Sequence, residues 1–257
     1  MAKWVRFSTN GTTAFGTLDG DHIAEHTGDP FSGATPTGRT VALADVTLEA
    51  PCVPSKIIAL WNNFHALAAK LNVAEPAEPL YLLKAPTTAA APGATVRRPP
   101  AYDGKTVYEG ELGIVIGKRA SNISESAAAD HILGYTIVND ITAADILHKD
   151  PTFAQWARAK GFDAYGPFGP WIDTEADPTQ AHVRTVLNGA ERQNYALADM
   201  IFPPARLVSL LSRDMTLLPG DLIACGTSLG VGTMKEAENE ISVTIDGLGT
   251  LSNRFVQ

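Results

Sequence analysis

Glu109 and Glu111 stand two residues apart at the mouth of an apolar run, TVYEGELGIVIGK, over 106–118. On a strand, positions i and i+2 share a face, so the two carboxylates point the same way. Side by side they repel, and burying them costs several kcal/mol unless something positive compensates. A third carboxylate, Asp140, closes another apolar run, GYTIVND. A divalent cation would resolve the repulsion, and an all-oxygen donor set favours a hard ion such as Mg2+, Mn2+ or Ca2+ over zinc. A Glu-x-Glu pair at a strand start also suits a solvated sheet edge, and Asp after Asn also suits a turn. Residue type and spacing leave both readings open.

The elements that must position these residues are mostly strands. KWVRFS, TTAFGTLD and DHIAEH are short and separated by Gly and Asn turns, which predicts a small β unit over 1–50, followed by a loop at GDPFSGATPTG. VTLEAPCVPSKIIAL crosses two prolines into an apolar strand, so the main domain is expected to run from 51 to 257. In WNNFHALAAKLN, Phe64, Leu67, Ala68 and Leu71 recur at helical spacing, with Asn62 or Asn63 as the cap. YLLKAP predicts a short strand. SNISESAAADHIL predicts a second helix, opened by Ser121 or Ser124. Residues 142–160 are expected to be helical or irregular, interrupted by Pro151. GPFGPWI, HVRTVLNG, NYALADMIF and LLPGDLIACGTSLGVG alternate short strands with Gly/Pro turns, and ISVTIDGLGTLSNRFV reads as a final hairpin turning at Asp-Gly. No regular βαβ rhythm exists, which argues against a Rossmann sheet or a TIM barrel. GTSLGVG lacks the Lys-Ser/Thr of a phosphate loop.

Composition narrows the function class. The 257 residues are 45% hydrophobic and 19% charged, ordinary for a soluble globular protein. A net charge of −8 and a pI near 5.2 argue against electrostatic nucleic-acid binding. Two cysteines, Cys52 and Cys225, without a CxxC spacing argue against a zinc site or disulfide framework. MAKWVRFSTNG lacks the apolar stretch of a signal peptide, and no run has the length of a membrane span. The expectation is a cytoplasmic protein with no membrane partner.

The segments YEGELGIVIG, GYTIVND, NG…Q and TLLPGDLIACGTSLGVG, in that order, resemble the fumarylacetoacetate hydrolase family over about 55–257. GKRASNISESAAADHILGYTIVND and LGTLSNRFV resemble most its branch of 2-hydroxyhepta-2,4-diene-1,7-dioate isomerases and 5-carboxymethyl-2-oxo-hex-3-ene-1,7-dioate decarboxylases. The resemblance implies a mixed β-sandwich roll wrapped by short helices, usually a homodimer. It implies that Glu109, Glu111 and Asp140 hold Mg2+ or Mn2+.

Other roles follow from the same resemblance. Lys160 in ARAKGFD matches a lysine near the substrate, although by type alone it reads as a surface lysine. Gly226 and Thr227 in CGTS match a turn that holds a substrate carboxylate, although by type alone Thr227 is a turn residue. Gln193 falls where the family places a pocket glutamine. His65 in NNFHALA matches a lid histidine that activates water with a glutamate three residues on, but Ala68 occupies that position. Glu75 or Glu78 in the next loop could substitute. TAADIL replaces the family's S/T-A-R-D-x-Q, so Ala144 and Leu147 stand where arginine and glutamine commonly contact the distal end of the substrate.

The implied substrate is a small anionic 2-oxo acid. A metal-stabilised enolate at C3 makes it feasible to break a bond there. The first expectation is hydrolysis of a C–C bond in an acylpyruvate-like 2,4-dioxo acid. The alternatives are decarboxylation or isomerisation of a 2-oxo-ene-dioate in aromatic catabolism, or a metal-binding member with impaired catalysis.

Overall fold

The computed structural model describes residues 2–257. The expectation of a mainly β chain with short helices holds. The largest sheet runs, edge to edge, through Gly33–Ala42, His22–Asp29, Thr12–Asp19, Lys3–Thr9, Gly166–Asp173, Ile132–Asn139, Gly110–Ile116, Leu222–Ala224, Ile57–Trp61 and Leu80–Lys84. Neighbours along this order are antiparallel except Leu222–Ala224 beside Ile57–Trp61, which is parallel. A second sheet joins Ala190–Ala196, His182–Leu187, Glu238–Ile245, Gly249–Val256 and Thr95–Arg97. A small third sheet, Thr142–Ala143, Thr106–Tyr108 and Gly232–Thr233, lies at the start of the Glu-x-Glu segment.

Burial explains the strand patterns. All of Gly110–Ile116 is buried, so it reads as a continuous apolar run. The final hairpin instead alternates buried and exposed residues, as a half-buried sheet requires, and it turns at Asp246–Gly247 as expected. The N-terminal strands have a small core of their own, Val5, Phe7, Leu18 and Ile23. They join the main sheet where Lys3 pairs with Asp173 and Trp4 with Ile172.

Several local expectations are corrected. GATPTG belongs to the long strand Gly33–Ala42 rather than to a loop, because it pairs back onto His22–Asp29. The ESAAADH segment is a 3-10 helix over Glu125–His131, and Ser124 makes no side-chain cap bond. The first α-helix, α1 (His65–Leu71), is present, but neither asparagine caps it. Asn63 is buried and bonds Phe202 and the Cys225 carbonyl. Asp199, from far along the chain, accepts from the Ala66 N–H at 3.0 Å instead. Asn72 in the left-handed region ends α1. Residues 142–160 contain two short helices, α2 (Ala144–Leu147) and α3 (Trp156–Lys160). A longer helix, α4 (Pro204–Asp214), fills the stretch between NYALADMIF and LLPGDLIACGTSLGVG, for which no element was expected. Its signal is present in the sequence: proline at the first turn and buried Leu207, Val208 and Leu211 at helical spacing.

Candidate active site

The Glu-x-Glu segment is held by its own backbone. Glu109 lies in the break between Thr106–Tyr108 and Gly110–Ile116. Its N–H donates to Asn139 Oδ1 at 3.2 Å, and its carbonyl accepts the Asp140 N–H at 2.8 Å. Gly110 pairs with Asn139 and Glu111 with Val138, so the register sets Asp140 beside the glutamates. One carboxylate oxygen from each of Glu109, Glu111 and Asp140 falls within a 4.8 Å cluster. Gly110 must be glycine. A Cβ there would run into Thr185 Oγ1 and lie 2.9 Å from Val243 Cγ1.

Two lysines enter this cluster. Lys160, at the end of α3, reaches Glu109 Oε2 at 2.8 Å, Asp140 Oδ2 at 2.6 Å and Thr142 Oγ1 at 2.7 Å. It is 2% exposed, which removes its reading as a surface lysine. Lys84, which the sequence reading missed, ends Leu80–Lys84 and bonds Asp140 Oδ1 and the Tyr165 carbonyl. Leu82 and Lys84 are the two buried residues of that strand. Their two-residue spacing is the signal that could have placed Lys84 inward. Thr142, also unassigned from sequence, donates to Glu109 Oε1 at 3.1 Å.

Charge is not balanced by these lysines. Burial pushes the Glu111 carboxyl well above the carboxylate range, and the Asp140 and Glu109 charges add to it. Burial also raises Glu109, against the pull of Lys160. At Asp140 burial is outweighed by Lys160 and Lys84, which hold it below its ordinary value. At Lys160 burial is outweighed by Asp140, then Glu109 and Glu111, and its pKa rises. Burial lowers Lys84 despite Asp140.

Glu111 Oε2 accepts the Gly226 N–H at 2.8 Å, whereas Oε1 is buried without a partner. A buried, unpartnered carboxylate oxygen beside two further carboxylates fits a hard divalent cation. Glu109, Glu111 and Asp140 are the residues that would hold it.

The remaining predicted residues divide. Gly226 adopts φ +87°, with the Leu60 carbonyl 3.2 Å from where a Cβ would be, so glycine alone presents its N–H to Glu111. Thr227 lines the cavity above the carboxylates, its hydroxyl donating to the Gly110 carbonyl at 3.1 Å. Gln193 requires correction. It is fully buried, and its amide is taken up by Gly110, Thr185, Thr227 and Leu229. It braces the Glu-Gly-Glu backbone, helped by the Tyr195 hydroxyl, which donates to the Gly110 carbonyl at 2.5 Å.

The cavity above the cluster, about 220 Å³, has Glu109, Thr142, Lys160 and Thr227 on its polar side. Helix α1 contributes Leu67 and Leu71 to its wall, α2 contributes Ala144 and Leu147, and α3 contributes Trp156. His65 is half-exposed and is not among the lining residues; its Nδ1 lies 2.6 Å from Glu75 Oε1. Ala68, where the resemblance implies a glutamate, is buried, while Glu75 comes from the loop after α1.

Comparison with known proteins agrees with this geometry. Residues 56–256 match the family described as fumarylacetoacetate (FAA) hydrolase C-terminal, and residues 2–51 match Rv2993c-like, N-terminal. Protein Rv2993c of Mycobacterium tuberculosis is 40% identical, covering 98% of this chain and 97% of its own. The crystal structure of 2-hydroxyhepta-2,4-diene-1,7-dioate isomerase from Mycobacterium marinum superposes with a TM-score of 0.90 at 38% identity, covering 100% of this chain and 98% of that one. A maleylpyruvate hydrolase from Sphingobium sp. SYK-6, in complex with manganese (II) ion and pyruvate, gives a TM-score of 0.79 at 27% identity over 99% of each chain. Among the described residues no helix is long and apolar enough to cross a membrane. With matching motifs, fold and acidic cluster, this chain belongs to the fumarylacetoacetate hydrolase family.

Proposed function

We propose that this protein is a Mg2+- or Mn2+-dependent enzyme that hydrolyses a C–C bond in an acylpyruvate-like 2,4-dioxo acid. The observation that carries the reading is the buried cluster of Glu109, Glu111 and Asp140 with the unpartnered Glu111 oxygen. A divalent cation held by these three residues would supply Lewis-acid stabilisation of negative charge on a 2-oxo acid. Lys160 faces the same cavity and adds a fixed positive charge. Thr227 lines the end where the substrate carboxylate would sit, and Gly226 supports it by holding Glu111.

The preference for hydrolysis rests on His65 and Glu75. In the tautomer that donates Nδ1–H to Glu75, Nε2 would be left to take a proton from water. Water adds to the C4 carbonyl, the C3–C4 bond breaks, and C3 takes up a proton, giving pyruvate and a second acid. The manganese and pyruvate of the Sphingobium hydrolase are compatible with such a product site.

Isomerisation or decarboxylation of a 2-oxo-ene-dioate is the second reading. It is favoured by the position of His65 outside the cavity lining and by the similarity to the Mycobacterium marinum isomerase. Neither reaction needs a base to activate water. A cytoplasmic homodimer is proposed with either reading.

The test is loss of the ultraviolet absorbance of a 2,4-dioxo acid by metal-stripped protein with and without added Mg2+ or Mn2+. Pyruvate plus a second acid is the expected product. Release of CO2, or an isomerised product, selects the second reading. Absence of turnover across 2,4-dioxo acids, oxaloacetate and 2-oxo-ene-dioates despite metal binding identifies a catalytically impaired member and overturns both.

A further inference from the structure

We infer that the cavity above the carboxylates continues into a subsite for an uncharged apolar or aromatic group at the far end of the 2-oxo acid. The inference rests on the site reading above and names the substrate class. Four residues, Trp61, Leu71, Leu147 and Trp156, line both the inner cavity and an adjoining cleft of about 760 Å³. The two indole rings stand at this junction with centroids 5.7 Å apart and planes tilted by 53°. Beyond them the cleft is walled by Pro79, Leu80, Tyr81 and Leu82.

Charge decides the chemistry of the occupant. In the inner cavity the titratable groups are Glu109 and Lys160, which already pair with each other. In the cleft they are Tyr81 and His148. Among the described residues neither space is lined by an arginine or by a second lysine. Ala144 and Leu147 bring no polar side-chain group to the route between them. A distal carboxylate would lose water there without gaining a fixed counter-ion. An apolar group would instead shed its own hydration and that of Trp61, Leu71 and Trp156. Aromatic groups gain further from stacking against the two indoles.

The occupant is the substrate's own distal group, because the cleft shares Trp61, Leu71, Leu147 and Trp156 with the cavity whose polar side takes the 2-oxo acid end. The other candidate is a second copy of the chain laid over the exposed Leu80 and Tyr81. The two predict different responses to the same variants.

The experiment uses the full chain loaded with Mn2+. Calorimetric Kd values are measured for 2-oxo acids without a cleavable C–C bond, ending in a phenyl group or in a carboxylate on a chain of similar length. In parallel, kcat/KM is measured for 2,4-dioxo acids ending in methyl, phenyl or a carboxylate. Phenyl-ended acids should bind and react about tenfold or more better than carboxylate-ended ones, the scale set by pocket discrimination of apolar groups. Leu147→Arg and Ala144→Arg should each shift that ratio toward the carboxylate. Trp156→Ala should lower the phenyl-to-methyl ratio.

Equal or better binding of the carboxylate-ended acids overturns the subsite. So does a Trp156→Ala protein that changes oligomeric state on size exclusion but keeps the substrate ratios. If no dioxo acid is turned over while the binding preference holds, the hydrolase reading fails and the subsite stands.

Discussion

The imidazole Nδ1 of His65, first residue of α1, lies 2.6 Å from the Glu75 Oε1 in the loop that follows the helix. The glutamate comes from the loop, since the position one turn along α1 is the buried Ala68. If this pair activates water, Glu75→Gln should lower kcat for dioxo acid hydrolysis by about tenfold or more. It should leave Mn2+ affinity unchanged, and Glu78→Gln should have no comparable effect. Steady-state kinetics with metal titration checks this. Equal activity of both variants would remove the dyad and favour isomerisation.

Lys84 and Asp140 form a pair with side chains 1% and 0% exposed. Lys84→Met leaves one Asp140 oxygen without its cation in a buried site. Removing one member of a buried pair typically costs about 3–5 kcal/mol. Chemical denaturation of the metal-free variant should show a loss on that scale. A loss below about 1 kcal/mol would mean that the pair is solvated in solution.

The carboxylate cluster sets the pH response of the metal-free protein. Burial raises Glu111 and Glu109 above their unfolded values. The folded state therefore holds protons that the unfolded state releases, and stability falls as pH rises through the raised folded values. Asp140, held low, has the opposite sign in a lower window, where its contribution is lost as pH falls. Cation binding requires the deprotonated forms. The rise in Tm on adding Mn2+ should therefore be larger at about pH 8 than at about pH 5. Thermal melts with and without metal check the trend, and a flat or reversed difference would contradict the cluster's role.

Glu111→Gln separates stability from function. Burial and the neighbouring carboxylates oppose the ionised form of Glu111, and its second oxygen has no partner, so the metal-free Tm should rise at pH values where Glu111 would ionise, while Mn2+ binding and turnover are lost. Glu109→Ala should also abolish turnover. Full activity in both variants would invalidate the metal assignment.

Gly110→Ala tests the bracing of the site. The added methyl meets Thr185, and Thr185 and Gln193 are bonded to each other at 2.8 Å and have little room to yield. Overpacking of this kind costs about 1–3 kcal/mol. Denaturation of the variant, with metal affinity measured alongside, should show both stability and binding reduced.

Much of the site was legible in local sequence. The Glu-Gly-Glu spacing, the apolar runs and Asp140 at the end of GYTIVND mark where carboxylates meet strands, because strand geometry repeats every two residues. The family motifs extended this to Lys160 and Thr227. The family match set Gln193 in the pocket, but its amide is used by four neighbours. Local spacing fails at Asn63, which has the type of a cap but serves Phe202 and Cys225.

By itself the sequence determined which groups carry charge and which segments alternate or run apolar. These follow from side-chain chemistry and backbone periodicity, both local. Only the tertiary structure decided which cation faces which carboxylate. Lys84 meets Asp140 across 56 positions, and Glu111 meets the Gly226 N–H across 115. The Leu222–Ala224 strand enters the sheet between Gly110–Ile116 and Ile57–Trp61, chain segments distant from it in sequence. Pairing energies at such separations depend on burial and on the order of strands in the sheet, and no local pattern encodes either.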